Sequence, residues 1–346
     1  NWFSGLQSGK RHPLVAPPPM FAALSLRSVT ILNRAAMAPA PTYSSSDGAP
    51  FDRCLKRLLA AAHAGPGLVV TEPVAVGAAA RITPGDPGIY RREHALAWSS
   101  LAERVHDETS AKLCLRLGHA GRRGGTRVPH RGLGVPLDDE AWSLIAPSPL
   151  PYRSGGTVPR EMDETDMEEV IGSFVAGAEL AVQAGVDVLE IHMAHGYLLG
   201  SFISPLSNRR SDDYGGCLAN RLRFPLEVFE RVRSVWPEER PLAIALNADD
   251  RARGGGRIED AIEAATAFKR AGCDLIDVLA GQTTPAFRPS YDPGFLAGYS
   301  DSIRNQARVA TMTSGNITTT VQVNTLIAAG RADLCVLNRW GSQAPT

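Results

Sequence analysis

His192, His195 and Tyr197, three side chains able to donate a hydrogen bond or a proton, stand within one short stretch of the chain. They follow directly on Val186-Asp-Val-Leu-Glu-Ile191, an apolar run that reads as a buried strand. In repeated βα architectures the carboxyl ends of the strands form the active face, because the loops there vary while the barrel beneath stays packed. Two imidazoles and a phenol at such an end can polarise a substrate oxygen and move a proton. Two other uses of the histidines stay open: ligating a metal together with Glu190, or satisfying backbone carbonyls at the mouth. The run Ser204–Gly216, followed by Asn220-Arg221, is too polar for a core strand. It is expected to be a structured loop braced by charge-assisted bonds from Arg209, Asp213 and Arg221.

The elements that must position these groups follow from periodicity. A chain of 346 residues suits one α/β barrel with insertions. Apolar strand-like runs are predicted at 34–38, 67–72, 112–117, 186–192, 242–247, 275–279, 309–313 and 334–338. Amphipathic helices are predicted between them at 52–64, 93–108, 164–184, 219–235, 258–271, 296–306 and 318–329, with Gly65, Gly185, Gly272 and Gly330 as the residues just past helix ends. Such alternation implies a parallel sheet covered on both faces, and eight repeats imply a closed (β/α)8 TIM barrel. The tail after Arg339 is too short for a proper last helix, which is expected to be truncated, so that strand eight is either partly bare or covered by a partner. Residues 1–20, with Ala16-Pro17-Pro18-Pro19, are expected to be a Pro-rich tether, and 21–346 the barrel domain. The segment 118–160 is too long for an ordinary βα loop. With Arg122, Arg123, Arg127, His130 and Arg131 it is either a solvated loop or a cradle for an anionic substrate such as a phosphate-bearing thioester.

Composition narrows the partners. Hydrophobic residues make up 44% of the chain and the formal net charge is zero, which argues against disorder and against nucleic acid and favours a small-molecule ligand. The five cysteines are scattered, with no CxxC pair, so neither a disulfide framework nor a structural zinc site is expected, and a reducing cytoplasm fits. No apolar run reaches the roughly 18 residues that span a bilayer, and no signal-peptide pattern opens the chain.

Several motifs together carry a resemblance that covers nearly the whole chain. They are Asn33-Arg34 leading to Met37-Ala38-Pro39, Leu117-Gly118-His119-Ala120-Gly121-Arg122, His192 with His195-Gly196-Tyr197, the Ser204–Gly216 run, and Gly330-Arg331-Ala332-Asp333. With these the sequence resembles the old yellow enzyme family of FMN-dependent ene-reductases. It is most similar there to the reductase half of 2-aminobenzoyl-CoA monooxygenase/reductase and salicylyl-CoA 5-hydroxylase fusions. The resemblance implies FMN on the carboxyl face and NAD(P)H as reductant. It also implies an aromatic-derived or enone substrate whose oxygen is held by His192 and His195, with Tyr197 as proton donor and Tyr43 closing over the substrate. A fused or associated flavin monooxygenase is the partner it suggests, and self-association is compatible with it.

By the same resemblance, the flavin positions fall on Pro39, Ala40, Pro73, Arg116, Ala245, Ser314, Gly315, Asn338 and Arg339. Several depart from the family pattern. Ala245 stands where an Arg normally faces the flavin N1–O2 edge, and Arg116 stands where a Gln is usual. Pro41 and Pro73 each remove a backbone donor, and Asn338 replaces a small residue. Arg122 and Arg123 are expected at the substrate. The expected function is hydride transfer from NAD(P)H through FMN to an activated C=C, with redox-neutral acid–base catalysis or a non-catalytic partner domain as alternatives.

Overall fold

Strands that are apolar on both faces must be covered on both, and the chain achieves this by closing its sheet. The structure, a computed structural model, describes residues 17–50, 52–137, 142–285 and 291–338. Eight parallel strands, β3 (Ala35–Met37), β4 (Leu68–Ala75), β5 (Lys112–Gly118), β8 (Val188–Met193), β9 (Leu242–Asn247), β10 (Leu275–Leu279), β11 (Ala310–Ile317) and β12 (Leu334–Leu337), form a closed barrel in that order. Seven helices cover its outside: α1 (Asp52–His63), α2 (Arg92–Glu108), α3 (Glu164–Gln183), α5 (Leu218–Val235), α6 (Ile258–Arg270), α7 (Ala297–Ala307) and α8 (Thr320–Ala328). The four glycines predicted to end helices all adopt positive φ, from 67° to 102°. The expected truncated last helix and Arg339 lie outside the described residues.

Alternation along the strands separates two cores. Outward residues such as Leu189, Ile191 and Met193 pack against the helices with Trp98, Phe174, Phe202, Phe229 and Phe268. Inward residues such as Val70, Cys114, Val188, Ala243 and Met312 fill the amino end of the barrel. That end is closed by a hairpin the sequence reading did not place, β1 (Leu24–Leu26) with β2 (Val29–Ile31), whose Leu26 and Ile31 join the inner core. Met20, at the end of the expected tether, is buried, and its N–H donates to Asn324 Oδ1 at 2.9 Å. With the amino end plugged by these described residues, the carboxyl mouth is the open end.

Two strands run further than the sequence suggests. β4 continues through Pro73 because the register shifts between Val70 and Pro73, and the Arg116 N–H bonds the Thr71 hydroxyl at 3.0 Å. The irregularity accommodates a residue without a donor. β11 continues through Ser314 and Gly315, expected as a loop, and rejoins β12 at Ile317 opposite Leu337 after a second irregularity. In the long insertion, β6 (Ile145–Ala146) pairs with β7 (Arg160–Glu161).

Candidate active site

β8 delivers the chemistry through its alternation. Val188, Glu190 and His192 face the barrel interior in successive layers, so His192 arrives at the top of the barrel only 2% exposed. The chain then turns sharply. His195 takes φ 57°, its N–H donates to Asn247 Oδ1 at 3.2 Å, and its carbonyl accepts from Arg123 Nη1. Gly196 follows at φ 68°; a Cβ there would lie 2.9 Å from Thr283 Cα, so the close approach of the β10 loop requires glycine. Tyr197 caps the short helix α4 (Leu198–Ile203).

This turn gathers the predicted triplet. The His192 and His195 ring centroids are 5.5 Å apart, and Tyr197 stands 5.0 Å from His192 and 6.4 Å from His195. Burial, with Arg116, His195 and Arg123 nearby, holds His192 well below the usual imidazole range. Burial and then Arg123 bring His195 down to about 3. Both rings are therefore neutral at neutral pH, each with one N–H to donate. Burial raises Tyr197, although Arg123 works against it, so the phenol keeps its proton. His192 Nδ1 is buried and has no partner among the described residues. The arrangement presents neutral donors to an oxygen and a protonated phenol beside them.

One layer below lies a charge cluster that sequence reasoning resolved only in part. Arg116, inward on β5, donates Nε to Glu190 on β8 and Nη2 to Asp277 on β10 at 2.7 Å. Glu190 is fully buried and Asp277 is 1% exposed. The guanidinium crosses β9 where that strand offers only Ala243 and Ala245 to the interior. Ala245 itself is fully buried, in register with His192 on one side and Asp277 on the other. Burial opposes the charge of Arg116, but the two carboxylates outweigh it and raise its pKa. Burial, with Glu190 beside it, pushes Asp277 up to about 7 despite the Arg116 bond. Asp277 was missed, yet a lone acid inside Leu275-Ile-Asp-Val-Leu279 was the signal available. Glu190 gives Oε1 to Arg116 and keeps Oε2 buried without a partner, and among the described residues no three His, Cys, Asp or Glu side chains are grouped as a metal site.

The long insertion folds over the mouth and brings Arg122, Arg123 and Tyr152 to Tyr43 and Tyr197, lining one cavity. Burial raises the Tyr43 phenol to about 12. The Ser204–Gly216 run is braced by Arg221 as expected, but the ion pair within it is made by the neighbours of Arg209 and Asp213. Arg210, not Arg209, pairs with Asp212, not Asp213, at 2.5 Å, and Arg221 Nε donates to the Ile203 carbonyl at 2.7 Å. Neighbouring charges of like type hid which members pair: the Arg210 side chain is largely buried, while that of Asp212 stays half exposed.

Fold and site together define a (β/α)8-barrel enzyme that handles a small molecule at its carboxyl mouth. The family model described as NADH:flavin oxidoreductase / NADH oxidase matches residues 19–340. An NADPH dehydrogenase of Geobacillus sp. (strain WCH70) is 38% identical over 92% of this chain and 89% of its own, and one of Halalkalibacterium halodurans is 36% identical over 92% and 90%. Among solved structures, morphinone reductase in complex with tetrahydroNAD superposes with a TM-score of 0.74 at 26% identity, covering 93% of this chain and 87% of that one. A 2-naphthoyl-CoA reductase complex has a TM-score of 0.84 at 23% identity over 94% of this chain, which spans about half, 51%, of that longer chain and shares its fold. The chain belongs to the NADH:flavin oxidoreductase / NADH oxidase family, the old yellow enzyme family, and is an NAD(P)H:flavin oxidoreductase that uses FMN.

The mouth fits that cofactor. Ala38, Ala40, Pro41 and Asn338 are exposed at the ends of the adjacent strands β3 and β12, while everything beneath them in these strands, from Ala35 to Ala36 and from Leu334 to Leu337, is buried. The methyl groups of Ala38 and Ala40 over a packed floor leave room for a planar ring, with Asn338 the bulkiest of these exposed side chains. Pro39 and Pro73 are half-buried at the same rim, and Ser314 and Gly315 lie on β11, with Gly315 at φ 103° against the Phe295 ring. No helix of the described residues is long and apolar enough to cross a membrane.

Proposed function

We propose that the chain reduces an activated C=C conjugated to a carbonyl, with Tyr197 as the proton donor. The gathering of two neutral imidazoles and a protonated phenol at one buried turn carries this proposal. Bound FMN supplies the redox chemistry, carrying two electrons as hydride from NAD(P)H to the acceptor. His192 and His195 donate N–H bonds to the acceptor's carbonyl oxygen and make its β-carbon electrophilic. Tyr197 releases its phenolic proton to the α-carbon, so that H⁻ and H⁺ add across the double bond and the charge balances. Pro39, Ala40, Pro73, Arg116, Ala245, Ser314, Gly315 and Asn338 would hold the cofactor, and Tyr43, Arg122 and Arg123 would hold the acceptor.

An aromatic-derived acceptor, including a CoA thioester, is supported by the tyrosines and stacked arginines of the cavity and by the resemblance to the fused reductase halves. Association with a flavin monooxygenase and self-association belong to the same proposal. Five unpaired thiols, four of them buried, support a reducing cytoplasm.

Stopped-flow of the two half-reactions tests the mechanism. Tyr197→Phe is expected to leave reduction of the flavin by NADPH nearly intact and to slow its reoxidation by 2-cyclohexenone by about 100-fold or more. Reoxidation at the wild-type rate would remove Tyr197 from the chemistry.

A further inference from the structure

The folded insertion and the barrel mouth bound a half-open cavity of about 120 Å³ whose walls include Tyr43, Tyr152, Tyr197, Arg122, Arg123 and Arg153. No Asp or Glu stands among the described residues that line it. Its arginines are held in an unusual way. Arg122 is only 5% exposed; its Nη2 donates to the Thr283 carbonyl at 2.7 Å and its Nη1 to the Leu150 carbonyl at 3.4 Å, while Nε is buried with no partner. Arg123 donates to the His195 and Gln282 carbonyls, and its guanidinium lies 4.4 Å over the Tyr152 ring and 4.7 Å over the Tyr197 ring. Carbonyl dipoles and ring faces are thus the direct partners of both cations among the described residues; no carboxylate bonds either, and Asp250 acts on Arg122 only through space.

A buried guanidinium without an anion is costly, and the cost is relieved when an anion arrives. Burial lowers Arg122 to about 10, and the Asp250 carboxylate opposes this without cancelling it. The space is close to that of an engineered cavity of about 150 Å³ that takes up benzene. It therefore holds a ring or short chain bearing one charged group, and because it is partly open a longer carrier can extend out of it. Because Tyr197 forms part of the wall, whatever fills the cavity is continuous with the reacting carbon.

We infer that this cavity selects acceptors bearing an anionic oxygen group, a carboxylate or a phosphate, remote from the double bond, with Arg122 as its principal cation. The inference rests on the ene-reductase proposal above and names the substrate class of that same site. The aromatic walls stack the acceptor's ring, and the arginines fix its charged end. A planar, charged acceptor is thereby oriented with its carbonyl toward His192 and His195.

The test compares kcat/KM in the FMN-loaded enzyme for two matched pairs: a cyclohexenone carboxylate against its methyl ester, and an enoyl-CoA thioester against its N-acetylcysteamine analogue. In the wild type the charged member of at least one pair is expected to lead by about 10- to 100-fold, the size of a charge-assisted bond. That lead should shrink with added salt. Arg122→Met is expected to collapse the ratio by at least tenfold. The acid:ester arm assigns the anion to a carboxylate, and the thioester arm to the carrier's phosphates. Ratios near one in the wild type overturn the inference without any variant, and would do so even if Arg122→Met failed to fold. A change confined to NADPH against NADH would also overturn it, by assigning the cations to the nucleotide. If no acceptor of either kind reoxidises the flavin, the ene-reductase proposal itself fails; if neutral acceptors do and charge makes no difference, only the anion site does.

Discussion

Replacing Arg116 by Met removes the one cation that stands between two carboxylates buried at 0% and 1% exposure. Methionine preserves most of the stem and its packing, so the change isolates the charge. Breaking a buried ion pair by removing one partner typically costs about 3–5 kcal/mol, because the carboxylates left behind cannot be solvated. With an unfolding entropy of roughly 2.1 cal/mol/K per residue, a chain of 346 residues converts that into a loss of about 4–7 °C in Tm. The loss should depend on pH in a defined sense. In the variant Asp277, already raised by burial in the wild type, loses the cation that opposes the rise, so the native chain binds the extra proton and stability rises as pH falls. The deficit seen by calorimetry at pH 8 should therefore shrink by pH 5. A variant that melts with the wild type at pH 8, or whose deficit is the same at both pH values, would refute the charge cluster as the origin of the effect.

The remaining predictions use the same geometry. In the wild type Asp277 is raised from its unfolded value near 3.9 to about 7 by burial and then Glu190, so stability should decline as pH climbs through that window. Asp277→Asn should flatten that decline and leave Tm at pH 8 equal to or above the wild type, which differential scanning at several pH values would reveal. Because burial keeps His192 and His195 uncharged, binding of a neutral phenol, read from the flavin spectrum, should show no imidazole titration between pH 5 and 8. A transition near pH 6.5 that His195→Asn abolishes would count against neutral donors. Gly196→Ala should cost about 1–3 kcal/mol through left-handed strain and lower acceptor turnover, since its Cβ would press on Thr283 at 2.9 Å. An unchanged Tm and rate would show that the turn is not constrained as described.

The sequence by itself determined the barrel and the place of its chemistry. Period-two apolar runs and capping glycines are local signals, and they fixed eight strands, seven helices and the order in which they alternate. His192 and Tyr197 were also legible, because they lie on one strand end and the turn after it. Glu190 shares the side of His192 because the strand runs through both. What it faces was decided by closure: Arg116 and Asp277 are 161 residues apart, and they meet only because β5, β8, β9 and β10 curve far enough for one guanidinium to cross above Ala243 and Ala245. Arg122 likewise finds the Thr283 carbonyl, 161 residues away, only when the insertion folds back over the mouth. Periodicity assigns each side chain to the inside or the outside of a sheet. Which inward side chains touch depends on strand register and on the path of long loops, and those are set by packing between distant segments that no local pattern encodes.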